Sequence, residues 1–180
     1  MKRRKMDFIR HYDAVVNALV SRGLLLSAYD ASGRANAMAI GWGSVGKIWS
    51  MPVWVVLVRP SRYTYECIEH SGCFAVNVPG AELQPAIDIC GTKSGRDGDK
   101  LAEAGLTTEK GKKVSAPIIA ECPIVYECQV VHRNDVQPDA IVRELQEGPY
   151  ANGDYHRVYF GKIVAASAAA NAPELLKRQS

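Results

Sequence analysis

The chain has 180 residues, 23% of them charged, and a formal net charge of +3. That length suits a single domain, 1–180, with a buried core, and so small a charge gives no reason to expect nucleic acid or membrane as a partner. No apolar run approaches the roughly 20 residues that cross a bilayer, and no h-region follows the basic start, so neither a membrane span nor a signal peptide is expected.

Met1-Lys-Arg-Arg-Lys5 holds much of the positive charge and reads as a solvated basic tail over 1–6. Phe8, Tyr12, Val15, Val16 and Leu19 recur at helical spacing, which predicts an amphipathic helix from Asp7 to Ser21, stopped by Gly23. Leu24 to Tyr29 is a strand pattern, Asp30-Ala-Ser-Gly33 a hairpin turn, and Ala35 to Trp42 a second strand. Val53 to Arg59 is a third, apolar enough to be buried on both faces. A short helix is expected over Arg62 to His70 and a fourth strand over Cys73 to Val78. Glu82 to Ile89 and Asp99 to Ala104 read as short helices around a Gly-rich loop, the second ended by Gly105. Pro123 to His132 is a long strand with Ile124, Tyr126, Cys128 and Val130 on one face. Val136 to Leu145 is expected to contain another strand, and Tyr155 to Ala166 the last long one. The tail over 168–180 is helical or loose.

Strands outnumber helices and come in runs joined by turns. That predicts a mainly β protein, an antiparallel sheet or barrel with helices at its ends, rather than alternating βαβ units. Five cysteines, an odd number with no CxxC, argue against a disulfide framework or zinc site and for thiols in a reducing cytoplasm.

Gly41-Trp-Gly-Ser-Val-Gly46 matches the dinucleotide fingerprint GxGxxG, but its context is wrong. A helix should open at the third glycine, whereas Pro52 arrives six residues later and another strand begins at once. These glycines instead shape a loop between strands or let backbone approach a flat ligand.

Two other runs are built to hold an anion. Arg59-Pro-Ser-Arg-Tyr-Thr64 follows a strand, so Ser61 is a candidate helix N-cap, with Arg59 and Arg62 able to add bidentate hydrogen bonds. Cys90-Gly-Thr-Lys-Ser-Gly-Arg-Asp97 flanks Thr-Lys-Ser with glycines, as in a concavity of backbone amides. The alternative for either run is a solvated turn. Arg59 and Arg62 could instead pair with Glu66 and Glu69, and Lys93 and Arg96 with Asp97 and Asp99. Asn77 and His156 have structural alternatives as strand residues.

Taken in order, Asn36-Ala-Met-Ala-Ile-Gly-Trp-Gly-Ser44, Arg59 to Thr64, Phe74-Ala-Val-Asn-Val78, Cys90 to Lys100 and Gly153-Asp-Tyr-His-Arg-Val-Tyr-Phe-Gly-Lys-Ile163 resemble the flavin reductase-like family with the FMN-binding split barrel, its flavoredoxin branch in particular. The resemblance runs from about Leu24 to Val164 and leaves 131–150 unmatched. It implies a six-stranded Greek-key split β-barrel that dimerises, with FMN near the subunit interface. By that likeness Met38, Ala39, Ile40, Gly41 and Trp42 line the flavin ring, and backbone N–H groups from Ile40 to Gly43 stabilise negative charge on the reduced ring. Arg59, Ser61, Arg62 and Thr64 hold the phosphate, and Asn77 lies beside the flavin. Thr92, Lys93, Ser94 and Arg96 complete the phosphate and ribityl contacts. His156, the catalytic candidate, sits where a nicotinamide or substrate stacks. The implied function is an FMN-dependent oxidoreductase that takes electrons from NADH or NADPH and passes them to free flavin or a protein acceptor. One alternative is a flavoredoxin-like electron carrier reduced by a partner protein. Another is a barrel reused to bind a different ligand such as haem.

Overall fold

The computed structural model describes residues 1–177. The apolar runs pair into one antiparallel sheet. Its elements are, in chain order, β1 (Arg3–Lys5), α1 (Tyr12–Ser21), β2 (Leu24–Tyr29), β3 (Ala35–Ile40), β4 (Gly43–Ile48), β5 (Met51–Val58), α2 (Tyr63–Ser71) and β6 (Cys73–Val78). These are followed by α3 (Gln84–Thr92), α4 (Lys100–Glu103), β7 (Thr108–Lys110), β8 (Pro117–Ile119), β9 (Ile124–Asp135), α5 (Arg143–Glu147), β10 (Arg157–Ala169) and α6 (Ala172–Leu176). Strands run β3-β2-β6-β9-β10-β5-β4, with β1 added beside β10, and β7 and β8 form a separate hairpin. The main sheet thus has eight strands among the described residues, not six.

The two end strands of this path share one core. Ile40 of β3 and Val45 of β4 belong to the same buried cluster as Trp54, Val56, Phe74, Val76, Tyr126 and Tyr159. The sheet therefore curls round a common interior, with the Trp54 and Tyr126 rings 5.7 Å apart inside it. A β-bulge between Phe160 and Gly161 helps bend β10. Gly161 is required there, because a Cβ would come within 2.3 Å of the Phe74 ring and 2.8 Å of Cys128 Cβ. A second cluster, including Leu25, Ala75, Ile87, Leu101, Ile119 and Val125, lies under α3, α4 and the β7–β8 hairpin. Hence β2 and β6 are buried on both faces. In β5 only Val53, Trp54, Val56 and Val58 are fully buried, and Val55 and Leu57 stay half-exposed.

Several expectations need correction. Residues 3–5 are not a solvated tail: they pair with Ser167–Ala169. Arg3 donates to the carbonyls of Ile119 (3.0 Å), Ala120 (3.1 Å) and Cys122 (2.7 Å) and pairs with Glu109. The first helix starts at Tyr12 rather than Asp7, because His11 takes a left-handed backbone (φ 65°) that interrupts the first turn. Most of the GxGxxG run is strand β4, not a loop. Of its glycines, Gly43 is the constrained one (φ 157°), since a Cβ would meet the Val55 carbonyl at 2.6 Å. Residues 136–145 hold a single 3-10 turn (Pro138–Ala140) and the start of α5 in place of a strand. Pro138 lacks the N–H a ladder needs, and Val142 remains exposed. Beyond Ala168 the chain finishes β10 and turns into α6, and 178–180 lie outside the described residues. The β7–β8 hairpin carries no alternating pattern to betray it. The buried Glu127 carboxylate pins it by accepting the amides of Lys113 (2.6 Å) and Val114 (3.3 Å). No helix among the described residues is long and apolar enough to cross a membrane.

Arg3→Ala is expected to lower unfolding stability by about 1.5–3 kcal/mol, the worth of hydrogen bonds from a charged group. Denaturant titration checks this. A change within about 0.5 kcal/mol, normal for a surface tail, would mean that β1 adds nothing to the fold.

Candidate functional site

The sheet curls but does not close, since β3 and β4 end the strand path and are not paired with each other. Each therefore has one edge with no strand partner among the described residues. A cleft of about 210 Å³ opens beside this seam. Met38, Ala39 and Ile40 of β3 line it, with Gly41 and Trp42 from the link to β4, Leu57 and Arg59 at the end of β5, Arg62, and His156 just before β10. Past Met38, Ala39 and Arg62 it continues into a second cavity of about 190 Å³. This one lies between the start of α2 and the α3–α4 loop, lined by Ser61, Thr64, Lys93, Ser94, Arg96 and Lys100. Together they fall in the size range of small-molecule sites, roughly 300–1,000 Å³.

The fold thus brings residues 38–42, 59–64 and 93–96 to one place. Thr64 is buried, and its hydroxyl oxygen accepts from Asn36 Nδ2 (2.8 Å), which leaves its own proton free for the cavity. The Arg62 guanidinium makes no hydrogen bond or ion pair among the described residues, and only its backbone is engaged, with Arg59 and Tyr65. Lys93 pairs with Glu103, and Arg96 with Glu66, in place of Asp97 and Asp99. Arg96 also donates to the Ser61 carbonyl (3.0 Å) and covers the Tyr63 ring. Glu69 is occupied by Arg133, Arg157 and the Tyr159 hydroxyl.

Two of the first-run residues do something else. Ser61 is not the helix cap: the cap position is Arg62, with no side-chain cap bond. The Ser61 hydroxyl and amide instead donate to the Asp154 carboxylate (2.6 and 3.3 Å). Arg59 donates to the carbonyls of Pro149 (2.7 Å), Asp154 (2.8 Å) and Gly153 (3.3 Å).

Asn77 and Thr92 do not reach the cleft. Asn77 is fully buried, donating to the Leu25 carbonyl (3.1 Å) and Ser27 Oγ (2.8 Å) and accepting from the Ile119 amide (2.8 Å). It therefore ties β2, β6 and β8 together. Thr92 ends α3 and turns its hydroxyl back to the Asp88 carbonyl (2.7 Å).

His156 is buried at the cleft wall, 4.9 Å from the Trp42 ring, with Nδ1 2.8 Å from the Tyr150 hydroxyl. Burial first, then the Arg59 charge, pulls its pKa down to about 4, so the imidazole is neutral near pH 7.

Sequence reading missed Lys100 and Tyr150. Lys100 is buried at the cavity floor, with Nζ donating to the carbonyls of Lys93 (3.0 Å) and Cys90 (3.2 Å) and no carboxylate partner among the described residues. Burial lowers its pKa, and Arg62 lowers it further. Its only signal was its place at the end of the Cys90–Lys100 run. Tyr150 lay at the end of the unmatched stretch and had none.

Residues 18–179 match the family model described as the flavin reductase like domain. An uncharacterized protein of Archaeoglobus fulgidus is 37% identical over 131 residues, covering 73% of this chain and 64% of that protein. The chain spans 34–64% of the length of the curated relatives it matches. Among solved structures, a flavoredoxin from Methanosarcina acetivorans is similar at 30% identity and a TM-score of 0.67, covering 83% of this chain and 70% of that one. The flavoredoxin of Desulfovibrio vulgaris (Miyazaki F) is similar at 26% identity, with the same TM-score and coverage. With a matching family model over nearly the whole chain and an architecture shared with these structures, the chain belongs to the flavin reductase-like family.

Proposed function

We propose that the protein binds FMN in the seam cleft and acts as an oxidoreductase that takes electrons from NADH or NADPH and passes them to free flavin or a protein acceptor. The observation that carries this reading is the joining of two unlike cavities. One has a strand edge and a Trp42–His156 wall, suited to a flat ring. The other gathers Arg62, Lys93, Arg96 and Lys100 with the hydroxyls of Thr64 and Ser94 among others, suited to a phosphate. A buried ammonium without a carboxylate, as at Lys100, is costly unless an anion completes it, and the exposed, unpaired Arg62 side chain lines the same cavity.

The donors fit FMN. Arg62, Thr64, Ser94 and Lys100 would hold the phosphate, joined by Lys93 and Arg96. The ion pairs of these last two are solvent-exposed, and such pairs are worth only about 0.2–1 kcal/mol. A charge-assisted bond to phosphate, about 1.5–3 kcal/mol, outweighs their loss. Met38, Ala39, Ile40, Gly41 and Trp42 would take the ring. Bound flavin supplies hydride and single-electron chemistry. His156 contributes as a neutral donor: with Nδ1 accepting the Tyr150 proton, Nε2 carries the remaining hydrogen. Arg59 and Ser61 line the two cavities, but their donors are committed to residues 149–154.

A second reading, an electron carrier reduced by a partner protein, draws support from the 30% identity to a flavoredoxin. The five buried, unpaired thiols suit a reducing cytoplasm. The outer face of the sheet carries an exposed Trp49, packed at 5.5 Å from Phe160 and 5.7 Å from His132. This apolar patch supports a homodimer.

Arg62→Ala is expected to weaken FMN binding by about 1.5–3 kcal/mol while leaving the far-UV spectrum unchanged. Flavin fluorescence quenching reads this, and an unaltered affinity removes Arg62 from the phosphate site. Anaerobic mixing of the FMN complex with NADH, and separately NADPH, should bleach the flavin absorbance rapidly with one of them. Tight FMN binding without bleaching favours the carrier reading, and no FMN binding overturns both. Light scattering on the eluting protein should give twice the monomer mass; a monomer at micromolar concentration counts against the dimer.

A further inference from the structure

The segment from Pro149 to His156 is tied beside the cleft at two points. Arg59 holds its backbone through three carbonyls. Asp154 holds it through its side chain, which accepts the Ser61 hydroxyl and amide and lies 3.9 Å from the Arg59 guanidinium. Asp154 also has a left-handed backbone (φ 55°), an uncommon conformation for a residue with a side chain. The same segment brings three rings to the cleft mouth. Tyr150 stacks on Tyr155 at 4.8 Å, meets Trp42 edge-on at 6.5 Å, and bonds His156 through its hydroxyl.

We propose that Asp154 is a positioning residue whose carboxylate latches the Pro149–His156 segment onto Ser61 and Arg59, holding Tyr150 and His156 against Trp42 as one fixed wall of the cleft. A planar ligand entering the cleft then meets a preformed aromatic surface with His156 already oriented. The consequence for ligands rests on the cleft being the binding site, but the latch itself does not.

Loss of the latch has a sign that a purely electrostatic role would not produce. The charged groups facing His156 are Arg59, Arg62 and Asp154, and Tyr150 stays neutral because burial raises its phenol. Removing the carboxylate without movement takes away the one charge that raises the His156 pKa, so the pKa falls below about 4. Releasing the segment hydrates the ring and withdraws it from both arginines, so the pKa climbs toward the ordinary imidazole value of about 6.5.

Histidine ring resonances of the ligand-free protein, followed by NMR from about pH 5 to 8, separate the two. The His156 signal is identified by its loss in His156→Gln. In the wild type it should be nearly flat across this range. Asp154→Gly keeps the left-handed backbone and removes the carboxylate, and its midpoint should rise by at least about one pH unit into the observed window. Asp154→Asn keeps an acceptor for Ser61 and tolerates the same backbone, and should restore the flat profile. A flat profile in a folded Asp154→Gly protein overturns the latch and leaves Arg59 as the sole tether. A rise in Asp154→Asn as large as in Asp154→Gly overturns the hydrogen-bond account. No flavin is present, so failure here leaves the proposed cofactor untouched, and failure of the cofactor leaves the latch standing.

Discussion

An antiparallel sheet that wraps a single core without pairing its two end strands is the constraint from which the site follows. Ile40 and Val45 share one buried cluster, so hydrophobic burial pulls β3 and β4 to the same interior. Their backbones nevertheless remain unpaired with each other. A closed barrel would consume those edge groups. The open seam keeps them beside a cleft, where a ligand can use them. Asn77, buried among β2, β6 and β8, helps hold the sheet in this curl from a position well inside the structure.

Charge is then sorted around the seam by what each cation finds as a partner. Arg3, Arg59 and Arg157 are saturated by carbonyls or carboxylates and serve as structural ties. Lys93 and Arg96 rest in exposed pairs that cost little to break. Arg62 and Lys100 remain without a carboxylate, one at the junction of the two cavities and the other at the floor of the second. This gradient from committed to uncommitted cations separates Arg59 from Arg62 although the two are three residues apart.

Much of the fold was legible because its long elements obey a simple period. The hairpin from Leu24 through Gly33 to Ile40, the buried β6 and the long β9 and β10 all announce themselves by apolar runs between turn residues. What was not legible depended on distant partners. Nothing local in Arg3-Arg-Lys5 distinguishes a strand from a tail; the available edge of β10 decides it. The β7–β8 hairpin depends on Glu127, and the fate of 136–145 depends on the absence of a ladder for it to join. The two short cationic runs were readable as clusters, yet the role of each side chain within them was not. Ser61 turned from a helix cap into a donor to Asp154, and Thr92 from a ligand contact into a helix-end hydroxyl.

By itself, then, the sequence determined the residue types that gather at the site and the strand-rich, antiparallel character of the chain. Both are properties of composition and spacing over a few residues. Only the tertiary structure decided which of those groups are free to act. Whether a donor is spent on a carbonyl, a carboxylate or nothing depends on segments far apart in the chain: Arg59 with 149–154, Asn77 with Ile119, and Lys100 with Lys93 and Cys90. Hydrogen bonds saturate, and the partner that saturates them is chosen by packing rather than by neighbours in sequence.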